Sequence, residues 1–69
     1  MNVTTEVAGK VWKIEAHPGA QLQPDDTILI LESMKMEIPV VAPKAGKLKE
    51  LRVKEGDTLA EGEVVAILE

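Results

Sequence analysis

Ala8-Gly-Lys-Val-Trp-Lys-Ile-Glu-Ala-His-Pro-Gly-Ala-Gln-Leu-Gln-Pro-Asp-Asp-Thr-Ile-Leu-Ile-Leu-Glu32 is the stretch whose reading decides the fold, because the chain contains it twice. Displaced by 37 positions, it falls on Ala45 to Glu69 without a gap. Eight of the 25 aligned pairs are identical: Ala8-Gly-Lys10 with Ala45-Gly-Lys47, Gly19 with Gly56, Leu22 with Leu59, and Ile30-Leu-Glu32 with Ile67-Leu-Glu69. Val11 with Leu48, Ile14 with Leu51, Ala16 with Val53 and Ile28 with Val65 keep their apolar character. The chain therefore reads as two copies of one motif, 8–32 and 45–69, joined through a short connecting segment.

Each copy reads as β-structure. Val11 to Ala16 and Leu48 to Val53 mix apolar and charged residues as half-buried strands do. Turn signals follow at Pro18-Gly19 and Glu55-Gly56-Asp57, and again at Pro24-Asp25-Asp26 and Glu61-Gly62-Glu63. Aliphatic strands, Thr27 to Glu32 and Val64 to Leu68, close the two halves. No stretch keeps helical periodicity, and Pro39 and Pro43 oppose a helix after the connecting segment. A strand over Met36 to Val41 that contains Pro39 is expected at a sheet edge. Neither copy can bury its apolar face alone. An all-β fold of two packed sheets with pseudo-two-fold symmetry follows. The expected core is Val11, Ile14, Ala16, Leu22, Ile28 and Ile30, with Leu48, Leu51, Val53, Leu59, Val65 and Ile67. Trp12, whose repeat partner is Lys49, is expected to be partly exposed near an edge, with a contact role as the alternative.

The connecting segment contains Glu32-Ser-Met-Lys-Met-Glu37. Leu31 and Ile38 would be cross-strand neighbours, which puts Met34-Lys35 at the tip of a hairpin. Tight two-residue turns favour Gly or Asn, and neither is present, so the turn is either strained or wider than two residues. Glu32 and Glu37 would face each other, a mildly unfavourable pair. A hairpin chosen for stability alone would not carry Met-Lys-Met at its apex, and such a mismatch with local rules marks a functional site.

Composition narrows the function classes. The 69 residues are read as one domain, residues 1–69, with a net charge of −4, one aromatic side chain and no cysteine. An acidic chain nearly free of aromatics does not suit nucleic acid. Without cysteine, and with His17 as its one histidine, it lacks the usual soft metal ligands and disulfides. No basic-then-apolar leader opens the chain, and the apolar runs Ile28 to Leu31 and Val64 to Leu68 are too short to span a bilayer. A soluble, cytoplasmic, non-catalytic protein with no membrane or nucleic-acid partner is expected.

The sequence resembles the biotinyl/lipoyl attachment domain family. The resemblance is carried by Ala8-Gly-Lys10, Gly19, Leu22, Glu32 to Glu37, Ala42-Pro43, Gly46, Glu55-Gly56-Asp57 and Leu59. Met34-Lys35-Met36 looks like the family's biotinylation signature, and Ser33 stands where Ala is usual. The resemblance implies a flattened barrel, or sandwich, of two four-stranded antiparallel sheets with the lysine on an exposed hairpin. It implies covalent biotin on Lys35, attached by a biotin protein ligase. Met34 and Met36 would serve ligase recognition, with Glu32, Ser33 and Glu37 as the hairpin context. Biotin carboxylase and carboxyltransferase components would be the partners that the arm visits. The ungapped repeat leaves no room for the insertion some carboxylase carriers have, so the small free-standing bacterial attachment proteins are the nearest type. Lipoyl domains share the fold but typically have Asp-Lys-Ala around the lysine. A lipoate carrier served by a lipoyl ligase is thus the second reading, and an unmodified interaction module the third.

Overall fold

The computed structural model describes residues 1–69. Its elements in chain order are β1 (Asn2–Thr4), β2 (Gly9–Ile14), β3 (Gln21–Leu22), β4 (Thr27–Ser33), β5 (Met36–Val41), β6 (Gly46–Leu51), β7 (Thr58–Leu59) and β8 (Val64–Leu68). They form two four-stranded antiparallel sheets, ordered β1-β8-β6-β3 and β5-β4-β2-β7. The expected fold class is therefore observed, and β5, with Pro39, lies at an edge. No helix is long and apolar enough to cross a membrane.

The two halves are interlaced. Each sheet takes its central pair from one copy of the motif and both edges from the other half of the chain. Backbone bonds repeat at the same 37-residue displacement seen in the sequence. Gly19 N–H donates to the Leu48 carbonyl and Gly56 N–H to the Val11 carbonyl, both at 2.8 Å. These glycines have φ of 96° and 94°, a left-handed turn that a Cβ would strain. The symmetry also reaches upstream of residue 8. β1 matches β5, Val3 and Val40 are both buried, and Thr5 pairs with Gly62 and Glu63 as Ala42 pairs with Asp25 and Asp26.

Fifteen buried apolar side chains fill the space between the sheets, with Ile14 and Leu51 half-buried against them. Two of the expected core positions are corrected. Ile30 and Ile67 are only half-buried and lie outside the core cluster, whereas Leu29, Leu31, Ala66 and Leu68 are buried. The cause is a pair of β-bulges. Thr27 pairs with Val41 and Leu29 with Val40, so Ile28 is an extra residue, and Val65 is its counterpart opposite β1. Each bulge puts two successive apolar residues inward and reverses the alternation that follows.

A second pair of bulges explains Trp12. Val11 faces Leu31 and Lys13 faces Ile30, which leaves Trp12 unpaired; Lys49 is unpaired in the same way between Leu48 and Glu50. Val11 and Ile14 thus both turn inward although they are three apart. Trp12 stands 50% exposed on the bulge. Beyond β7, the free N–H of Ile14 is satisfied by Glu55 Oε2 at 3.1 Å, which closes that side of β2.

Candidate functional site

β4 and β5 form the hairpin that the sequence predicts. Leu31 faces Ile38, Glu32 faces Glu37, and Ser33 faces Met36, so Met34 and Lys35 alone form the turn. Their φ angles are 52° and 64°. Two successive left-handed residues in a two-residue loop are the signature of a type I′ turn, whose twist matches that of the strands. Of the two alternatives left by the sequence, the tight and strained turn is the one observed. Each L-residue held there costs roughly 1–2 kcal/mol relative to the ordinary backbone.

Directly opposed residues share a face, and faces alternate along the strands. Ser33 and Met36 therefore continue the inward face of Leu31 and Ile38, past the end of the opposite sheet. Glu32 and Glu37 share the outer face with Ile30 and Pro39. Met34 is 93% exposed and Met36 62% exposed, a large apolar display for so small a molecule. Lys35 is exposed and makes no ion pair; the two ion pairs of the chain, Lys13–Glu15 and Arg52–Glu50, lie elsewhere. Its amine is thus free at the apex of a stiff ladder.

Several residues that support this hairpin lie far from it in sequence. A Cβ on Gly9 would come within 2.9 Å of the Glu32 carbonyl oxygen and 3.4 Å of Ser33 Cβ, so only glycine lets β2 approach the base of the hairpin this closely. The repeated Ala-Gly-Lys signalled this residue, though not its role. Thr5 is 98% removed from solvent, its relative exposure being 2%. Its hydroxyl donates to the Val7 carbonyl at 2.7 Å and accepts from the Val7 N–H at 3.3 Å. That clamp shapes the turn into β2. Val7, Ala8, Ser33, Met34, Met36 and Ile38 line an open groove at the hairpin, rimmed by Glu6 and Glu61. The identity of Val3 with Val40, at the same displacement as the repeat, signals only that these upstream residues share the repeated backbone.

No group of three or more His, Cys, Asp or Glu side chains converges to hold a metal ion. The site is an exposed primary amine, two exposed thioethers and flanking carboxylates on a two-stranded hairpin. Such a constellation can be acylated and recognised.

Comparison with known proteins gives the family of the chain. The biotin/lipoyl family profile, described as "Biotin-requiring enzyme", matches residues 1–68. The chain is 46% identical to the biotin/lipoyl attachment protein of Bacillus subtilis, over 94% of this chain and 89% of that one. It is 36% identical to the biotinylated protein TB7.3 homolog of Mycobacterium leprae, over 97% of this chain and 94% of that one. Among solved structures it is similar to the Kluyveromyces lactis urea carboxylase, with a TM-score of 0.95 and 33% identity; the match covers 100% of this chain and 6% of the carboxylase. With its sequence matched over nearly its whole length and its two-sheet architecture superposing on such a carboxylase segment, the chain belongs to the biotin/lipoyl attachment family.

Proposed function

We propose that residues 1–69 act as one attachment domain, that Lys35 is acylated with biotin, and that the resulting arm serves the components of a biotin-dependent carboxylase. The observation that carries this reading is the setting of Lys35: an unpaired amine at the apex of a type I′ turn, between two exposed methionines. The residues fit such a group, because nothing in the chain competes for the amine or covers it. On this reading the chain is a carrier and not itself a catalyst.

The protein's part in the chemistry is acyl acceptance. A biotin protein ligase presents a carboxyl group activated as an adenylate, and Lys35 Nζ attacks its carbon. The C–N bond of an amide forms, the C–O bond to AMP breaks, and the proton of the amine passes to a base of the ligase. Acylation removes the positive charge from the apex. Bound biotin supplies a site for carrying a carboxyl group between two active centres. The strained turn and the interlaced sheets keep the support rigid, so that the tether sets the local concentration at each centre. Met34 and Met36 offer the ligase polarizable, adaptable contacts, and Glu32 and Glu37 offer charge on the opposite face.

The name of the Bacillus subtilis relative joins biotin with lipoyl, and this favours lipoate as the second reading. Co-expression with a biotin protein ligase, and separately with a lipoyl ligase, followed by intact-mass measurement, tests both. A biotin adduct that is lost in Lys35→Arg is expected. An unmodified chain in the presence of an active biotin ligase would refute the first reading. Met34→Asp with Met36→Ala is expected to move acceptance toward the lipoyl ligase.

A further inference from the structure

Across the pseudo-two-fold, the two ends of the molecule share a backbone but not a surface. Thr5 at the Lys35 end corresponds to Ala42 at the other, and half-buried Val7 corresponds to exposed Lys44. The Thr5 hydroxyl clamps Val7 from both its N–H and its carbonyl, a device that Ala42 lacks. Val7 and Ala8 form one wall of the groove at the hairpin, and Met34, Met36 and Ile38 form another. The groove is open to solvent and has a volume of about 410 Å³. Glu6, Val7 and Ile38 also line a second groove, of about 370 Å³, between β1 and β5.

We propose that this groove is a resting site for the acyl chain carried by Lys35, so that the arm exchanges between a docked and an extended state. The proposal rests on Lys35 being the acylated residue. Both chain neighbours of Lys35 line the groove, so a group tethered there meets it at a high effective concentration and loses only the freedom of its own arm on docking. Methylenes gain by leaving water for an apolar wall, and methionine side chains adapt to the shape they cover. With Lys44 standing where Val7 does, the other end has no such apolar wall. Any partner that takes up the arm must draw it out, and its apparent affinity falls by the docked fraction.

The test compares ¹⁵N-labelled chain before and after biotinylation, with intact mass and the Lys35→Arg control establishing the adduct. Amide shifts are expected to move at Val7, Ala8 and Glu61 as well as at Ser33 to Met36. Val7→Lys, which copies Lys44, is expected to abolish the remote changes and keep those of the hairpin. It should also speed capture of the arm by avidin, about twofold if the arm is docked half the time. Shift changes confined to Ser33 to Met36 in the parent would overturn docking while leaving attachment intact. Absence of any adduct would remove attachment and docking together. If Val7→Lys fails to fold, the parent's own shifts decide.

Discussion

Met34→Gly should make the protein more stable. Met34 holds φ at 52° and is 93% exposed, so truncating its side chain forfeits almost no packing. A left-handed backbone costs an L-residue roughly 1–2 kcal/mol. Glycine removes that cost but loses roughly 0.5–1 kcal/mol more to chain entropy on folding. Taken at the middle of the two ranges, the balance favours the variant by about 0.75 kcal/mol. A domain of this size shifts its Tm by about 4–8 °C per kcal/mol, so the expected rise is about 3–6 °C. Thermal unfolding followed by far-ultraviolet circular dichroism measures it. Met34→Ala, which keeps a Cβ in the same left-handed turn, is the control and should stay within about 0.5 kcal/mol of the parent. Adding Lys35→Gly to Met34→Asn, the pair that type I′ turns favour, should raise the Tm further. A flat or lowered Tm in Met34→Gly, or an equal rise in Met34→Ala, would refute strain at the apex. On the proposed function the same Met34→Gly chain accepts biotin more slowly, so the turn would exchange stability for recognition.

The remaining predictions concern the support. Leu29→Ala should cost about 2–5 kcal/mol in urea unfolding, and Ile30→Ala less than half of whatever Leu29→Ala costs, because the bulge at Ile28 puts Leu29 in the core and Ile30 outside it; equal losses would contradict the register. Gly9→Ala should cost about 1–3 kcal/mol, as its Cβ crowds the Glu32 carbonyl, and should move the amide shifts of Glu32 and Ser33. Unchanged shifts there would show that Gly9 does not set the base of the hairpin. Glu55→Ala should speed hydrogen exchange at the Ile14 amide, with a loss of about 0.5–1.5 kcal/mol. An unchanged exchange rate would show that the carboxylate does not cap β2.

How far the sequence carries this fold depends on the length over which each physical signal is expressed. The repeat spans 25 positions in each copy, so the two-fold arrangement and its central strands were legible. Strands β3 and β7 have two residues each, too few for any alternation, and exist because β6 and β2 offer them partners. The bulges were hidden for the opposite reason. Ile28-Leu29-Ile30-Leu31 is apolar throughout, so its composition cannot say that Ile28, Leu29 and Leu31 turn inward while Ile30 does not. Ladder register against β5 decides that, and register is a property of the pair. The hairpin was legible because it departs from the rules. Asn-Gly at its tip would have read as an ordinary turn and implied nothing more. Met34-Lys35 takes the same left-handed geometry at a cost in strain, and both side chains stand exposed there. The groove beside it escaped the sequence because its walls come from Val7 and Ala8 on one side and Met34, Met36 and Ile38 on the other. Their meeting follows from the pairing of β2 with β4 and of β4 with β5. The departure from symmetry at Thr5 and Val7 became interpretable only once Ala42 and Lys44 stood as their counterparts on the same backbone.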